Sequence, residues 1–141
     1  MRRAASLRIV PLAAMLTALA ASGCMSLTDD GSSDALNMPV VGVTSRSVGF
    51  TVQARSFSFE QRYAGPTVGD SIAVGLTVVN YAAGTVLIEI VDSTGALRLQ
   101  QTVSQNIAQG NTTYHGVPPY ALHLLFTGFS GTFSLGVGAQ N

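Results

Sequence analysis

The chain has 141 residues, of which 47% are hydrophobic and 10% are charged, with seven Arg, seven acidic residues and no Lys. This length accommodates one small domain. A formal net charge of zero argues against nucleic-acid binding, which needs clustered cations, and a single Cys cannot form a disulfide framework or a multi-Cys zinc site.

The first 23 residues have the layout of a secretory signal. Arg2, Arg3 and Arg8 give a basic start, and an apolar run from Ile9 to Ala21 follows. The run is shorter than the roughly 20 apolar residues that a bilayer core requires. All seven acids follow Cys24, so removal of this segment leaves four Arg against seven acids, a net charge of −3.

The residues Ala21-Ser22-Gly23-Cys24 resemble the lipobox of bacterial lipoproteins. The resemblance implies that a dedicated peptidase cuts before Cys24 and that acyl chains are attached there; two or more chains anchor a protein stably to a membrane. The family prefers Leu where this chain has Ala21. An ordinary secretory signal, cleaved nearby and leaving Cys24 as a free thiol, is the alternative. Because Met25 replaces the Asp that retains some lipoproteins in the inner membrane, the resemblance favours the outer membrane, facing the periplasm or the cell surface.

The segment from Met25 to Asn37 is rich in Ser, Asp and Gly and has no sustained period, which is typical of a flexible tether. A coil of this length spans about 20 Å, enough to lift a domain off the lipid headgroups. We therefore expect three parts: a signal peptide with a helix at residues 1–23, a lipid-anchored tether at 24–37 and one domain at 38–141.

From residue 38 onward the apolar residues alternate with period two, which indicates β-strands. A one-residue slip near Ser56 indicates a β-bulge or a strand break there. The predicted strands cover residues 40–44, 48–59, 71–80, 85–92, 97–104, 120–127 and 132–137.

The connections between these strands contain turn-forming residues. Residues 81–84, 92–95 and 128–131 are expected to form hairpin links. Residues 105–119 form the longest irregular connection, which makes them the best candidate for a functional loop.

The pattern predicts an all-β fold, an antiparallel β-sandwich of about seven to eight strands. The expected core consists of the inward members of each strand: Val48, Phe50, Val52, Ile72, Val74, Leu76, Val78, Val86, Ile88, Ile90, Leu97, Leu99, Val103, Leu122, Leu124, Phe126, Phe133, Leu135 and Val137.

The second part of the domain contains a Gly84-Thr85 strand start that leads to Asp92-x-x-Gly95, and later a Tyr120 strand followed by a Gly-rich link. This arrangement resembles extracytoplasmic β-sandwich modules similar to the GOLD domain. The resemblance implies a binding or structural role more than a catalytic one.

The sequence spacing of the Asp and His residues gives little support to a catalytic or metal-binding site. Asp92-Ser93-Thr94-Gly95 differs from the Asp-Thr-Gly motif of aspartic proteases by an inserted residue and has no second copy, which favours a hairpin tip. His115 and His123 are the two side chains suited to general base chemistry near neutral pH, but no ligand spacing accompanies them. We expect no enzyme activity, no metal and no cofactor.

Aromatic residues near loops provide the candidate binding residues. Tyr114, His115 and Tyr120 lie in or beside the 105–119 segment, and loop Tyr side chains stack on sugars or pack against proteins. The sequence thus predicts a lipid-anchored envelope protein that acts as a structural or protein-interaction module. It would meet an envelope partner protein or associate with a second copy of itself, and self-association would use open edge strands with few charges. Binding of a small ligand or a glycan through these residues is the alternative.

Overall fold

The computed structural model of the chain describes residues 36–116 and 118–141. The predicted signal helix, Cys24 and most of the predicted tether lie outside these residues. Six strands are present, and every pair of neighbouring strands is antiparallel. The predicted all-β antiparallel class is confirmed. The strands are β1 (Val40–Val43), β2 (Ser47–Ala64), β3 (Ser71–Val91), β4 (Leu97–Val103), β5 (Ile107–His115) and β6 (Ala121–Gln140).

Three long strands, β2, β3 and β6, form the centre of the sheet, and each runs through two regions of pairing. In the first half-sheet the strand order is β1–β2–β6–β3–β5, formed by β2 residues 47–54, β6 residues 131–140 and β3 residues 71–79. In the second half-sheet the order is β2–β6–β3–β4, formed by the remaining parts of the long strands.

The two half-sheets fold over each other around an aromatic core. Phe126 and Leu135 are nine residues apart in β6, a separation of about 30 Å in a straight strand. Yet Phe50, the cross-strand partner of Leu135, stacks on Phe126 with ring centroids 5.5 Å apart. The long strands must therefore bend, which brings the inner faces of both half-sheets together as a sandwich.

The bends coincide with bulges in all three long strands. Ser56 and Asn80 adopt positive φ angles of 49° and 54°, and Gly84 and Gly128 adopt φ angles of 79° and 57°. The pairing register shifts beside each of these residues. Because bulges free backbone N–H groups from the ladder, neighbouring side chains accept them: Ser56 N–H donates to the Ser130 hydroxyl at 2.9 Å.

These bends correct two of the predicted hairpin links. Residues 81–84 and 128–131 do not turn the chain back; they continue β3 and β6, and Ala83 pairs with Ser130 across the two bends. Four predicted strands consequently merge into two. The bulge near Ser56 and the hairpin link at 92–95 are confirmed, the latter joining β3 to β4.

The predicted loop at 105–119 is also wrong over most of its length. Residues 107–115 form β5, whose last six residues pair with β3 from Ser71 to Leu76. Its sequence is mostly polar because one face of this edge strand is exposed, so it lacks the apolar alternation that marks a half-buried strand.

All predicted core residues are buried except two on β4, Leu97 and Leu99, which lie at the edge of the second half-sheet. Leu97 is 51% exposed, and Leu99 packs partly buried against the core. Four further residues are buried where the sequence predicted bends, links or a strand end: Ala54, Phe57, Tyr120 and Phe129. None of the described residues forms a helix that is long and apolar enough to cross a membrane.

Two glycines with similar positive φ angles allow the cost of backbone strain to be measured apart from the cost of a steric clash. Gly84 and Gly95 have φ angles of 79° and 81°, but a Cβ at Gly84 would collide with the Gly128 backbone, whereas a Cβ at Gly95 would meet nothing within 4 Å. We expect Gly95→Ala to lower the free energy of unfolding by about 1–2 kcal/mol, the cost of a left-handed L-residue. Gly84→Ala should cost about 3 kcal/mol or more, because the paired bends must separate. Denaturant unfolding checks both, and equal losses would contradict close packing of the bends.

Candidate functional site

A cleft lies at the open edge of the sandwich, between β4 of the second half-sheet and β5 of the first. Both strands pair with β3 on one side, and among the described residues neither pairs with another strand on its other side. Two unpaired strand edges therefore border the cleft.

The floor of the cleft is apolar and belongs to the core. Val74, Leu76, Ile88 and Leu135 contribute it, and the volume is about 140 Å³. Pockets that hold drug-sized ligands measure roughly 300–1,000 Å³. The cleft therefore accommodates one residue-sized or ring-sized group of a larger ligand.

Three polar side chains line the cleft above this floor: Gln101 on β4, and Thr112 and Tyr114 on β5. Within residues 36–116 and 118–141 none of them makes a hydrogen bond to another described residue. An amide, a hydroxyl and a phenol are thus available as donors and acceptors. No Asp, Glu, Arg or His is among the described residues lining the cleft, so it suits an uncharged group.

The structure separates the three candidate binding residues predicted from the sequence. Tyr114 is half-buried and lines the cleft. His115 is exposed at the end of β5 opposite Ser71, and it points to the other face because successive strand residues alternate. Tyr120 is 2% exposed, so its ring forms part of the core.

Tyr120 carries a buried hydroxyl that makes no hydrogen bond within the described residues. Burial raises the pKa of this phenol. A Cβ added at Gly116 would lie 2.9 Å from the hydroxyl oxygen, which places Gly116 directly beside it. The arrangement keeps the phenol neutral and internal, away from the cleft.

His123 lies on the outer face of the second half-sheet between two carboxylates. Its Nδ1 is 2.8 Å from Glu89 on β3, and its Nε2 is 3.0 Å from Glu60 on β2. Both ring nitrogens can donate at once only when the imidazole is doubly protonated. The hydrogen bond with His123 is the largest cause of the lowered pKa of Glu89, followed by one from Gln100. The carboxylates approach opposite nitrogens, so the group joins three strands and does not converge on one ion.

Asp92 begins the β3–β4 turn and is the buried anion of the domain's described part. Its Oδ1 accepts hydrogen bonds from the Thr94 hydroxyl at 2.6 Å and from the backbone N–H groups of Thr94 and Ala96. Its Oδ2 accepts from Arg98 Nε at 2.6 Å. The Thr94 hydroxyl is the largest cause of a pKa lowered to about 2, and burial acts in the opposite direction. Asp92 therefore fixes the hairpin tip.

Among the described residues no group of three or more His, Cys, Asp or Glu side chains is arranged to hold a metal ion. Cys24 lies outside the described residues. Sequence reasoning missed Gln101 and Thr112, because their positions on facing edge strands depend on β5 being a strand. The alternation of Gly110, Thr112 and Tyr114 along β5 is the signal that could have found them.

No protein-family model and no curated protein matches the sequence. Two solved structures show a low similarity, each at 13% identity. One, described as "CBM4 structure and function", has a TM-score of 0.34 over 72% of this chain and 76% of its own. The other, accessory secretory protein 1,2 and 3 in Streptococcus pneumoniae, has a TM-score of 0.35 over 73% of this chain and 86% of its own. Scores this low do not establish a shared fold, so the site is assigned from its own geometry.

The hydrogen bonds of Asp92 make the stability of the domain dependent on pH. Because folding lowers the pKa of Asp92 from 3.8 to about 2, its contribution is complete above about pH 4 and is lost as the pH falls through 2. We expect Asp92→Asn to melt at a lower temperature than the unsubstituted chain at pH 7, with the gap closing between pH 4 and pH 2. Melting temperatures from pH 2 to 7 check this, with the exposed Asp70→Asn as the control. A gap that stays constant with pH would contradict it.

Proposed function

We propose that this chain is a lipid-anchored protein of the bacterial cell envelope whose β-sandwich is a protein-interaction module. Acyl chains on Cys24 hold it to the membrane, and the β4–β5 cleft takes an uncharged, extended segment of a partner protein. The anchor is supported by the lipobox-like residues Ala21-Ser22-Gly23-Cys24. The binding role is supported by the cleft.

The single observation that carries the binding role is a residue-sized cleft between two strand edges that no other described strand covers. An extended peptide that adds to a sheet edge gains backbone hydrogen bonds, and its alternate side chains enter neighbouring pockets. On β5 the residues at alternating positions Gly110, Thr112 and Tyr114 line the cleft. An added strand would therefore place a side chain of the same face over the apolar floor.

A glycan is the second candidate ligand, favoured by the polar residues of the cleft. The Tyr114 ring offers a face for stacking on a sugar. Gln101 and Thr112 supply an amide and a hydroxyl whose side chains make no hydrogen bond to the described residues. The volume of about 140 Å³ and the lack of charge suit one neutral sugar ring of a longer chain.

The anchor is tested on the native protein. We expect mass spectrometry of the N-terminus to find a mature chain that begins at Cys24 and carries acyl mass, and Cys24→Ser to lose both the acyl mass and membrane association. An unmodified chain that begins at another residue would contradict the anchor. Detergent extraction of the membrane fraction provides the matched measurement.

The cleft is tested by photo-crosslinking from neighbouring residues of one strand. A photo-reactive amino acid at Thr112 faces the cleft, whereas one at Thr113 faces away. We expect a covalent adduct with an envelope protein from position 112 and none from 113. Tyr114→Ala should abolish the adduct, and His115→Ala should retain it.

The same variants separate the two candidate ligands. Binding to a saccharide on a glycan array that is lost in Tyr114→Ala, kept in His115→Ala and accompanied by no protein adduct would replace the protein partner by a glycan. If neither a protein adduct nor saccharide binding depends on Tyr114, the cleft is not the binding site.

A further inference from the structure

The backbone groups that β5 presents at its open edge can be assigned to particular residues. Gly116, directly after the strand, donates its N–H to the Asp70 carbonyl at 3.3 Å, so these two residues form a hydrogen-bonded pair. Such pairs alternate with non-hydrogen-bonded pairs along an antiparallel ladder. In the register of β5 with β3, the even positions from 110 to 114 therefore bond to β3. The odd positions from 111 to 115 turn their backbone groups to the open edge.

The side chains of β5 follow the same alternation. Gly110, Thr112 and Tyr114 line the cleft, and the odd positions lie on the other face. A strand that adds to this edge bonds to the odd positions, so its cleft-facing residues stand opposite the even ones. These are non-hydrogen-bonded pairs, in which the Cα atoms approach to about 4.5 Å and the side chains lie close together.

The space over Gly110 favours a ring on the added strand. A Cβ built on Gly110 would meet only an Ile107 methyl at 3.7 Å and the Leu76 carbonyl at 3.8 Å, both ordinary contacts. An aromatic side chain opposite a Gly at a sheet edge covers the backbone that the Gly leaves bare. Because no charged residue is among the described residues lining the cleft, this ring should be uncharged.

Strand β5 itself supplies such a ring at the spacing that two-fold symmetry requires. Tyr114 follows Gly110 by four residues, and Thr112 lies midway between them. In a two-fold interface, if residue i of one copy contacts residue j of the other, j also contacts i. An antiparallel pairing of two β5 strands with its axis at Thr112 therefore places Tyr114 of each copy opposite Gly110 of the other.

The charges of β5 are compatible with this pairing. The strand contains no Asp, Glu or Arg, and His115 is its last residue. With the axis at Thr112 the two His115 side chains lie at opposite ends of the pairing. No like charges then face each other across the two strands, an arrangement that would be destabilising.

We propose that β5 of a second copy of this chain occupies the open edge of β5, with the two-fold axis at Thr112 and Tyr114 of each copy over Gly110 of the other. This inference rests on the proposed binding role of the β4–β5 cleft and names its partner. The two first half-sheets then form one continuous sheet, to which each copy contributes five strands. Anchoring of both copies to one bilayer would raise their effective concentration.

The register is tested by disulfide formation in the detergent-solubilised full-length protein. Thr112→Cys places two thiols across a pair with Cα atoms about 4.5 Å apart, within the range that a disulfide bridges. We expect oxidation to convert this variant to a species of twice the mass on a non-reducing gel. His115→Cys is the matched control on the same strand: its thiols would lie about 20 Å apart, so it should stay monomeric. The unsubstituted chain, oxidised in parallel, reports any dimer that forms through Cys24.

The ring contact is tested by substituting Tyr114 in the Thr112→Cys chain. Tyr114→Ala removes both rings from the interface, and we expect it to slow disulfide formation by about tenfold, because each dimer loses two cross-strand contacts. Tyr114→Phe keeps the ring and should keep the rate. Tyr114→Val takes the place of Tyr114→Ala if the latter lowers the melting temperature.

The outcomes separate this inference from the proposed function. If Thr113→Cys or His115→Cys forms the dimer faster than Thr112→Cys, the axis is elsewhere and the register is overturned. An unchanged rate without the Tyr114 ring overturns the ring contact. If no variant forms a disulfide dimer and the unsubstituted protein sediments as a monomer, the second copy is overturned. The photo-crosslink from position 112 then decides the proposed function, which stands if the adduct contains a different protein and fails if there is no adduct.

Discussion

The structure depends on one constraint: β2, β3 and β6 must bend at the same level. A flat sheet of strands this long would expose its apolar face, whereas the shared bend closes the two half-sheets over Phe50 and Phe126. Bulges in neighbouring strands must therefore occur together, with Ser56 and Asn80 in the left-handed region and Gly84 against the Gly128 backbone. The cleft follows from the same constraint, because the bend sets β4 of one half-sheet opposite β5 of the other.

Two groups of polar side chains, one around Asp92 and one around His123, connect the strands of the second half-sheet outside its apolar core. Asp92 closes the β3–β4 turn and contacts Arg98 on β4, which fixes the start of the edge strand that borders the cleft. His123 joins β2, β6 and β3 through Glu60 and Glu89 on the outer face. Buried polar groups contribute to stability only when they have hydrogen-bond partners, and Asp92, Glu89 and His123 all have them. These charged residues thus mainly position strands, and none of the described ones lines the cleft.

Sequence alternation predicted the fold class and nearly all of the core, because each inward position on a central strand must be apolar. It could not distinguish a bend from a hairpin at residues 81–84 and 128–131, since Gly and small residues permit both, and only the pairing of Ala83 with Ser130 separates them. Phe129 was missed for the same reason: at a hairpin tip it would be exposed, but at a bend it points inward. β5 was missed because an edge strand needs few apolar residues. Without β5, neither the position of Thr112 nor the cleft could be predicted.

The few charged residues of this chain are distributed unevenly among the edge strands of the two half-sheets. In the second half-sheet, the edge formed by β2 carries Glu60 and Arg62, and β4 carries Arg98, which discourages pairing with other strands. In the first half-sheet, β1 contains no Asp, Glu, Arg or His, and β5 contains only His115 of these, at its end. Protection is thus confined to one half-sheet. The two edges without it differ in chemistry, since β1 is apolar and β5 is rich in hydroxyl and amide groups.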